Sequence, residues 1–266
     1  PAPHLHNPVP QLLSMGVRPV DTLAEGLPAL FESMAKAVEH AWALTDRSAD
    51  KLPLVAADVL GRHRTELTGL TFAAIAEQAL AIRGTQLNAD SLFGNPPITW
   101  FMADHFCIES YLWLENSTSI HDHGFNGAWM NLVGHSIHRQ FHFDGAEAIS
   151  PSLRVGSLNP VNWEVLEPGD IRQIPRGSDF IHDLYHLHRP TVTLIIRSSS
   201  KQAREKSRLQ QEYTGFGDCS FAKDSFERPG WEVLQKRFMY SLEAVTPELA
   251  FDLFSRQLGE DSLETA

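Results

Sequence analysis

Two histidines one residue apart, His121 and His123, lie in the largely apolar segment 119–134, SIHDHGFNGAWMNLVG. Alternate side chains of a β-strand share a face, so a strand here places both imidazoles together and Asp122 on the opposite face. A divalent metal ion needs several nitrogen or oxygen atoms that converge from a rigid backbone. The segment therefore predicts a strand that supplies two ligands of a metal site, and a third ligand must come from elsewhere.

A second β-rich segment, residues 168–198, supplies the candidates for the third ligand, which are His182, His186 and His188. All three share a face if the strand stays regular, but Pro190 should end or bend the strand soon after them. We predict His182 as the third ligand. His186 suits the residue that holds the second nitrogen of a ligating imidazole. An exchange of these two roles remains open.

Glycines and a proline at fixed distances from these histidines complete two motifs. The first motif consists of H-x-H, three residues, a position often occupied by glutamate, six residues and glycine. It is matched by His121, His123, Gly127 and Gly134. The second motif consists of glycine, five residues, P-x-G, a gap, histidine, three residues and asparagine. Its matches are Gly169, Pro175, Gly177 and His182, and His186 stands at the asparagine position. The two segments together resemble the cupin superfamily, which implies a jelly-roll β-barrel with a metal site inside it.

Gly127 stands where many cupins have a glutamate ligand, and this leaves a set of three histidines, which are His121, His123 and His182. Such a set resembles the thiol dioxygenase branch, and the resemblance implies Fe(II), dioxygen and oxidation of a thiol to a sulfinate. In the cysteine dioxygenases, serine, histidine and tyrosine alternate on the strand after the third histidine. The corresponding residues here are Thr193, Ile195 and Arg197, so only the hydroxyl is kept. We predict catalytic roles for Thr193, His186 and Arg197.

Three neutral nitrogen ligands do not by themselves select a metal or a reaction. Nickel, manganese and zinc are alternatives to Fe(II), because imidazole binds all of them. Another metal-cupin enzyme, such as a lyase, an isomerase or an enzyme that cleaves carbon–carbon bonds, is an alternative to the dioxygenase, as is a non-enzymatic sensor of a ligand or metal. The sequence has no P-loop and no G-x-G-x-x-G after a strand.

Further histidines and arginines lie in the segment of the sequence that is predicted to form the barrel. His138 and His142 are four residues apart, so a regular strand places them on one face. We expect that face to be solvated or to line the barrel, and an inward histidine would serve as a substrate anchor or proton shuttle. An inward arginine would clamp a substrate carboxylate, and the candidates are Arg139, Arg172, Arg176 and Arg197.

The predicted fold class is mainly β, a cupin jelly-roll β-barrel flanked by N-terminal and C-terminal helices. Short β-branched and aromatic runs separated by glycine and proline predict strands over residues 106–115, 128–133, 135–143, 163–166, 171–174, 180–185 and 191–197. Apolar residues at helical intervals predict helices over residues 21–44, within 53–82, and over 201–213, 229–245 and 247–258. The predicted regions are an arm with helices (1–98), the barrel (99–200) and C-terminal helices (201–266), all in one compact unit.

The chain of 266 residues has a formal net charge of -11 and a pI of about 5.6. This acidity argues against a nucleic-acid partner, which needs a basic face. No apolar run of membrane-spanning length and no secretory signal is present in the sequence, so we expect a cytoplasmic protein with no membrane partner. The expected partners are dioxygen and a small-molecule substrate. The extra helices favour a covered pocket or a homodimer.

Overall fold

The computed structural model of the chain describes residues 26–81, 94, 97–114, 117–150, 153–199, 211–214, 219–222 and 248–249. Its helices precede its strands. They are α1 (Leu27–Ala43), a 3-10 turn (Ala49–Lys51), α2 (Leu52–Arg62), α3 (Arg64–Thr68) and α4 (Phe72–Ala81). None of the helices in these ranges is long and apolar enough to cross a membrane.

Helix α1 is amphipathic, and its apolar face packs on the sheet. A proline stands in its first turn, where the missing N–H has no helical partner to lose. The buried positions recur every three or four residues and are Leu27, Phe31, Met34, Val38 and Trp42. The Phe31 ring stacks on Trp100 with 4.7 Å between ring centroids. The predicted start of this helix at residue 21 lies outside the described residues.

The first antiparallel sheet has the strand order β1-β2-β9-β4-β7. Its strands are β1 (Pro97–Met102), β2 (Phe106–Trp113), β4 (Gly127–Val133), β7 (Ile171–Ile174) and β9 (Thr191–Ser198). Both of its faces are buried. Alternate residues such as Ile108, Met130 and Leu194 pack in the core cluster beneath the helices, whereas their neighbours Trp129 and Ile195 pack in a separate cluster on the opposite face.

The second antiparallel sheet carries the histidines. Its strands are β3 (Ile120–His123), β5 (Ser136–Ser150), β6 (Leu153–Leu166), β8 (Gly177–His186), β10 (Gln211–Thr214) and β11 (Cys219–Ala222). They pair in the order β10-β11-β6-β5-β8-β3, and β3 pairs in turn with β10. The first sheet is not part of this ring, and no pairing among the described strands joins the two sheets into one barrel.

The predicted mainly β fold with N-terminal helices is confirmed, with two corrections. The continuous barrel is replaced by two sheets, as described above. The predicted helix 201–213 is wrong at its end, because residues 211–213 belong to β10, and β11 also falls in the region predicted to be helical. The carboxylate of Asp122 on β3 accepts hydrogen bonds from the backbone N–H of Gln211 (2.8 Å) and from the Tyr213 hydroxyl (3.0 Å). Pairing with β3 therefore overrides the local preference of this segment for helix.

Other predicted segments at the two ends of the chain are described in part or not at all. Residues 248 and 249 are helical, inside the predicted helix 247–258. The arm over residues 1–19 and the helix over 229–245 lie outside the described residues. The structure therefore leaves the three predicted regions of the chain as a prediction.

Candidate metal centre

The structure brings His121, His123 and His182 together. His121 and His123 lie on β3, and His182 lies opposite His121 in the antiparallel pairing of β3 with β8. One ring nitrogen from each histidine falls within 4.8 Å of the others. The Nε2 atoms of His123 and His182 are 2.9 Å apart. With 2%, 5% and 3% of their surfaces exposed, the three imidazoles form a buried cluster of nitrogen atoms.

Two neighbouring groups orient two of these rings. The Nδ1 of His121 lies 2.7 Å from the carbonyl oxygen of Ser119, which can only accept a hydrogen bond. The proton of this ring is therefore on Nδ1, and Nε2 keeps its lone pair for a metal. The Nδ1 of His182 lies 3.0 Å from Nε2 of His138, so His138 holds the nitrogen of His182 that faces away from the cluster.

A partly buried chain of hydrogen bonds continues from His138. Its Nδ1 lies 2.8 Å from Oε1 of Glu164, and Arg172 donates from Nε to that oxygen at 2.7 Å and from Nη2 to the other oxygen. The Arg172 guanidinium first, and then His138, lowers the pKa of Glu164 to about 2. The ionised carboxylate only accepts, so His138 donates from Nδ1 and accepts at Nε2 from Nδ1–H of His182. The lone pair of His182 Nε2 then faces His123.

The cluster fits a divalent metal ion in its protonation as well as in its geometry. Burial first, and then the neighbouring His121, lowers the pKa of both His123 and His182 well below the ordinary value for histidine. Both rings are therefore neutral at pH 7, which is the form that binds metals. Three imidazole nitrogens on two paired strands, with two of the rings held by hydrogen bonds, form a donor set suited to a divalent metal ion.

The cluster lies against a narrow cavity that is partly open to solvent. Aromatic and aliphatic side chains form most of its wall, together with the three histidines, and the lining residues are Tyr111, Trp113, Thr118, His121, His123, Phe125, Trp129, Ile174, His182, Leu184, Thr193 and Ile195. Thr193, one of the predicted catalytic residues, lies on this wall. Its hydroxyl accepts a hydrogen bond from the Trp113 indole at 2.9 Å.

The other two predicted catalytic residues are buried nearby but are not among the described lining residues. His186 stacks on Trp113 with 5.0 Å between centroids, and its Nδ1 lies 2.9 Å from the Ser136 hydroxyl. Burial lowers the pKa of His186 to about 4. The structure places His138, rather than His186, against His182. The catalytic roles of Thr193, His186 and Arg197 stay predictions.

Arg197 is held in a buried ion pair. Its Nε and Nη2 both lie 2.9 Å from Oε2 of Glu109, and its Nη1 donates to the Ser198 carbonyl at 3.3 Å. Glu109 also accepts hydrogen bonds from the hydroxyls of Tyr111 (3.0 Å) and Thr99 (3.2 Å). Two of the other arginines proposed as substrate clamps are also paired with carboxylates, Arg139 with Asp183 and Arg172 with Glu164.

Sequence reasoning missed the roles of His138, Glu164 and Glu109. His138 is fully buried whereas His142 is exposed, although their spacing predicts a shared face. The pairing of β5 with β6 shifts register between Gln140 and Phe141, and the face that is buried changes there. Only the register of β5 on β6, which places His138 opposite Glu164, could have indicated this contact.

Gly127, at the usual glutamate position, lies too close to β9 for a side chain. A Cβ atom there would be 2.3 Å from the carbonyl oxygen of Ile196 and 2.9 Å from Cα of Arg197. Both distances are shorter than the contacts that a Cβ atom makes with nonbonded atoms in proteins. The packing of β4 on β9 therefore excludes a carboxylate ligand from this position.

Comparison with known proteins finds no matching family model and no matching curated protein. Several solved structures are similar over part of the chain. Hydroquinone 1,2-dioxygenase PnpCD, in complex with Cd2+ and 4-hydroxybenzonitrile, is 11% identical over 51% of this chain and 75% of its own, with a TM-score of 0.32. A structure of the DMSP lyases RdDddP and RnDddQII is 16% identical over 68% of this chain and 95% of its own, with a TM-score of 0.35. A cupin-2 domain-containing protein from Shewanella frigidimarina is 14% identical over 39% of this chain and 79% of its own, with a TM-score of 0.27.

Likenesses this distant do not identify a reaction. The two antiparallel sheets and the buried histidine cluster are features of this chain itself. Together they confirm the resemblance to the cupin superfamily in the fold and in the place of the metal site.

Proposed function

We propose that this chain is a metal-dependent dioxygenase that uses Fe(II) and dioxygen to oxidise a small organic substrate, with thiols among the candidate classes. The observation that carries the proposal is the convergence of His121, His123 and His182 on a cavity that all three line. Ferrous iron held by three neutral imidazoles would keep its full charge and open positions for substrate and dioxygen.

The residues of the chain would prepare this site in three ways. The carbonyl of Ser119 and the imidazole of His138 fix the tautomers of two ligands. Burial keeps His123 and His182 unprotonated at neutral pH. The aromatic wall excludes water, which would otherwise occupy positions needed by the substrate.

The predicted catalytic residues have the following roles in this proposal. The Thr193 hydroxyl accepts from Trp113 and keeps its own proton available to a substrate in the cavity. His186 stacks on Trp113 and so supports the same wall. Arg197, held by Glu109, packs its guanidinium on the ring of Phe125, which lies beside His123 in the wall.

Oxygen consumption tests the proposal. Protein loaded with Fe(II) under anaerobic conditions is mixed with air-saturated buffer and a panel of thiols, phenols and β-dicarbonyl compounds, and an oxygen electrode records the uptake. We expect substrate-dependent uptake that is lost in H121A and H182A. Turnover of a substrate by metal-loaded protein without oxygen uptake would instead indicate a lyase or isomerase. Metal binding without turnover of any compound would indicate a sensor.

A further inference from the structure

The charge balance of the cavity wall limits the substrates that this site accepts. Apart from the histidines, the described lining residues are Thr118, Thr193 and a set of aliphatic and aromatic side chains, so none carries a fixed charge. Burying a carboxylate or an ammonium group against such a wall is unfavourable unless an opposite charge meets it. Apart from a metal ion held by the histidines, the described wall thus offers no ion-pair partner to a zwitterionic substrate.

The nearest described cation, Arg197, is neutralised before it reaches the cavity. Glu109 is fully buried, and Arg197 is 5% exposed, so their pairing lies in a region with little water. All three guanidinium nitrogens have a partner, two on Glu109 and one on Ser198. A substrate carboxylate would have to displace Glu109, and that exchange would leave a buried carboxylate unpaired.

Phe125 also lies against this ion pair. The guanidinium carbon of Arg197 is 5.2 Å from the centroid of the Phe125 ring, and the same ring lies 4.7 Å from that of His123. Phe125 is a lining residue, whereas Arg197 is not among them. The cavity therefore presents the ring of Phe125, and not the guanidinium of Arg197, which was one of four candidates for a carboxylate clamp.

Three further aromatic residues, Tyr111, Trp113 and Trp129, line the cavity. Tyr111 and Trp113 meet edge to face, 5.9 Å apart, and the Trp129 ring lies 5.3 Å from that of His182. Flat apolar rings are favoured by such walls. The buried indole N–H of Trp129 has no hydrogen-bond acceptor among the described residues. A ligand oxygen beside the histidines would supply one.

We propose that the substrate of this site is an uncharged aromatic compound with one hydroxyl or thiol group, and that the Glu109–Arg197 pair disfavours substrates with a carboxylate. This inference rests on the proposed function for the use of the site, but ligand selectivity is measured separately from oxidation. It departs from the small amino-acid thiol that the three-histidine pattern implies.

A matched pair of ligands tests the proposal. 4-Ethylphenol and 4-hydroxyphenylacetate have nearly the same shape, and they differ in a methyl group against a carboxylate. Isothermal titration calorimetry with the full-length protein free of metal, in which no metal ion meets the carboxylate and no oxidation occurs, gives both dissociation constants. We expect 4-ethylphenol to bind at least about tenfold more tightly. Equal binding, or tighter binding of the carboxylate, overturns the proposal.

The E109Q variant tests the part assigned to the ion pair. Glutamine keeps an acceptor for Thr99 and Tyr111 but leaves the Arg197 charge unneutralised. We expect the preference for 4-ethylphenol to fall by about threefold or more, because the carboxylate gains a cation. An unchanged preference in folded E109Q overturns the role of Glu109. If E109Q does not fold, as judged by circular dichroism, the ligand pair on the unaltered protein still decides whether carboxylates are disfavoured.

Oxygen uptake separates this proposal from the proposed function. Selective binding of 4-ethylphenol without any oxygen uptake by the Fe(II) protein would sustain the selectivity and refute the dioxygenase. Uptake that is faster with cysteine than with uncharged phenols and aromatic thiols would sustain the dioxygenase and refute the selectivity.

Discussion

Replacing His138 by phenylalanine should weaken metal binding, although His138 does not contact the metal position. The variant keeps a ring of similar size but removes the acceptor 3.0 Å from Nδ1 of His182. The proton of His182 is then free to move to Nε2, where it can donate to Nε2 of His123, 2.9 Å away. A metal must reverse this tautomer before it binds. Loss of such a partner lowers metal affinity about 10- to 100-fold, or about 1.4–2.7 kcal/mol.

Competition with a chromogenic chelator measures this loss, with Zn2+ in air and Fe2+ under nitrogen. The matched control is H142F, which makes the same change four residues along β5 at an exposed position, and its metal affinity should stay within about twofold of the unaltered protein. Circular dichroism verifies that both variants fold. If folded H138F binds zinc as tightly as H142F, the chain from Glu164 through His138 does not set the tautomer of His182, and the reasoning fails.

Three other predictions concern the metal centre and its surroundings. Alanine at any one of the three clustered histidines should abolish metal retention, whereas H186A should keep partial metal occupancy. Mass spectrometry of the bound metal measures both. The opposite result for His182 and His186 would exchange their roles. Zinc at about 100 times its dissociation constant should stabilise the folded protein by about 2.7 kcal/mol, seen as a rise in Tm that H121A does not show. Burial holds the pKa of His186 at about 4, below its value of 6.5 in the unfolded chain, so the unfolded chain binds more protons between these pH values. The free energy of unfolding should therefore fall as the pH drops from 6.5 to 4, and the slope should be shallower in H186F; an equal slope would contradict it.

The metal ligands were predictable from the sequence because local rules determine most of their arrangement. The spacing of His121 and His123 places both on one face of any strand, and the glycines and proline around His182 match a known motif, although the gap between Gly177 and His182 is two residues longer than usual. The pairing of β3 with β8 then puts His182 opposite His121. These inferences use strand periodicity and turn chemistry, both of which act over a few residues.

The surroundings of the ligands depend on contacts that no local pattern contains. Glu164 lies opposite His138 because of the register between β5 and β6, and Glu109 meets Arg197 because β2 pairs with β9. Strand β10 is short and polar, and its pairing with β3 requires Asp122 as a partner. The register shift on β5 likewise reverses the expectation for His142. Each miss concerns the pairing of segments far apart in the chain.

The close approach of two backbones at Gly127 makes the three-nitrogen ligand set resistant to evolutionary change. A single codon change to glutamate would not create a four-ligand centre, because the new side chain would force β4 and β9 apart before its carboxylate reached an ion. Engineers who want a carboxylate ligand here would have to introduce it from a different strand.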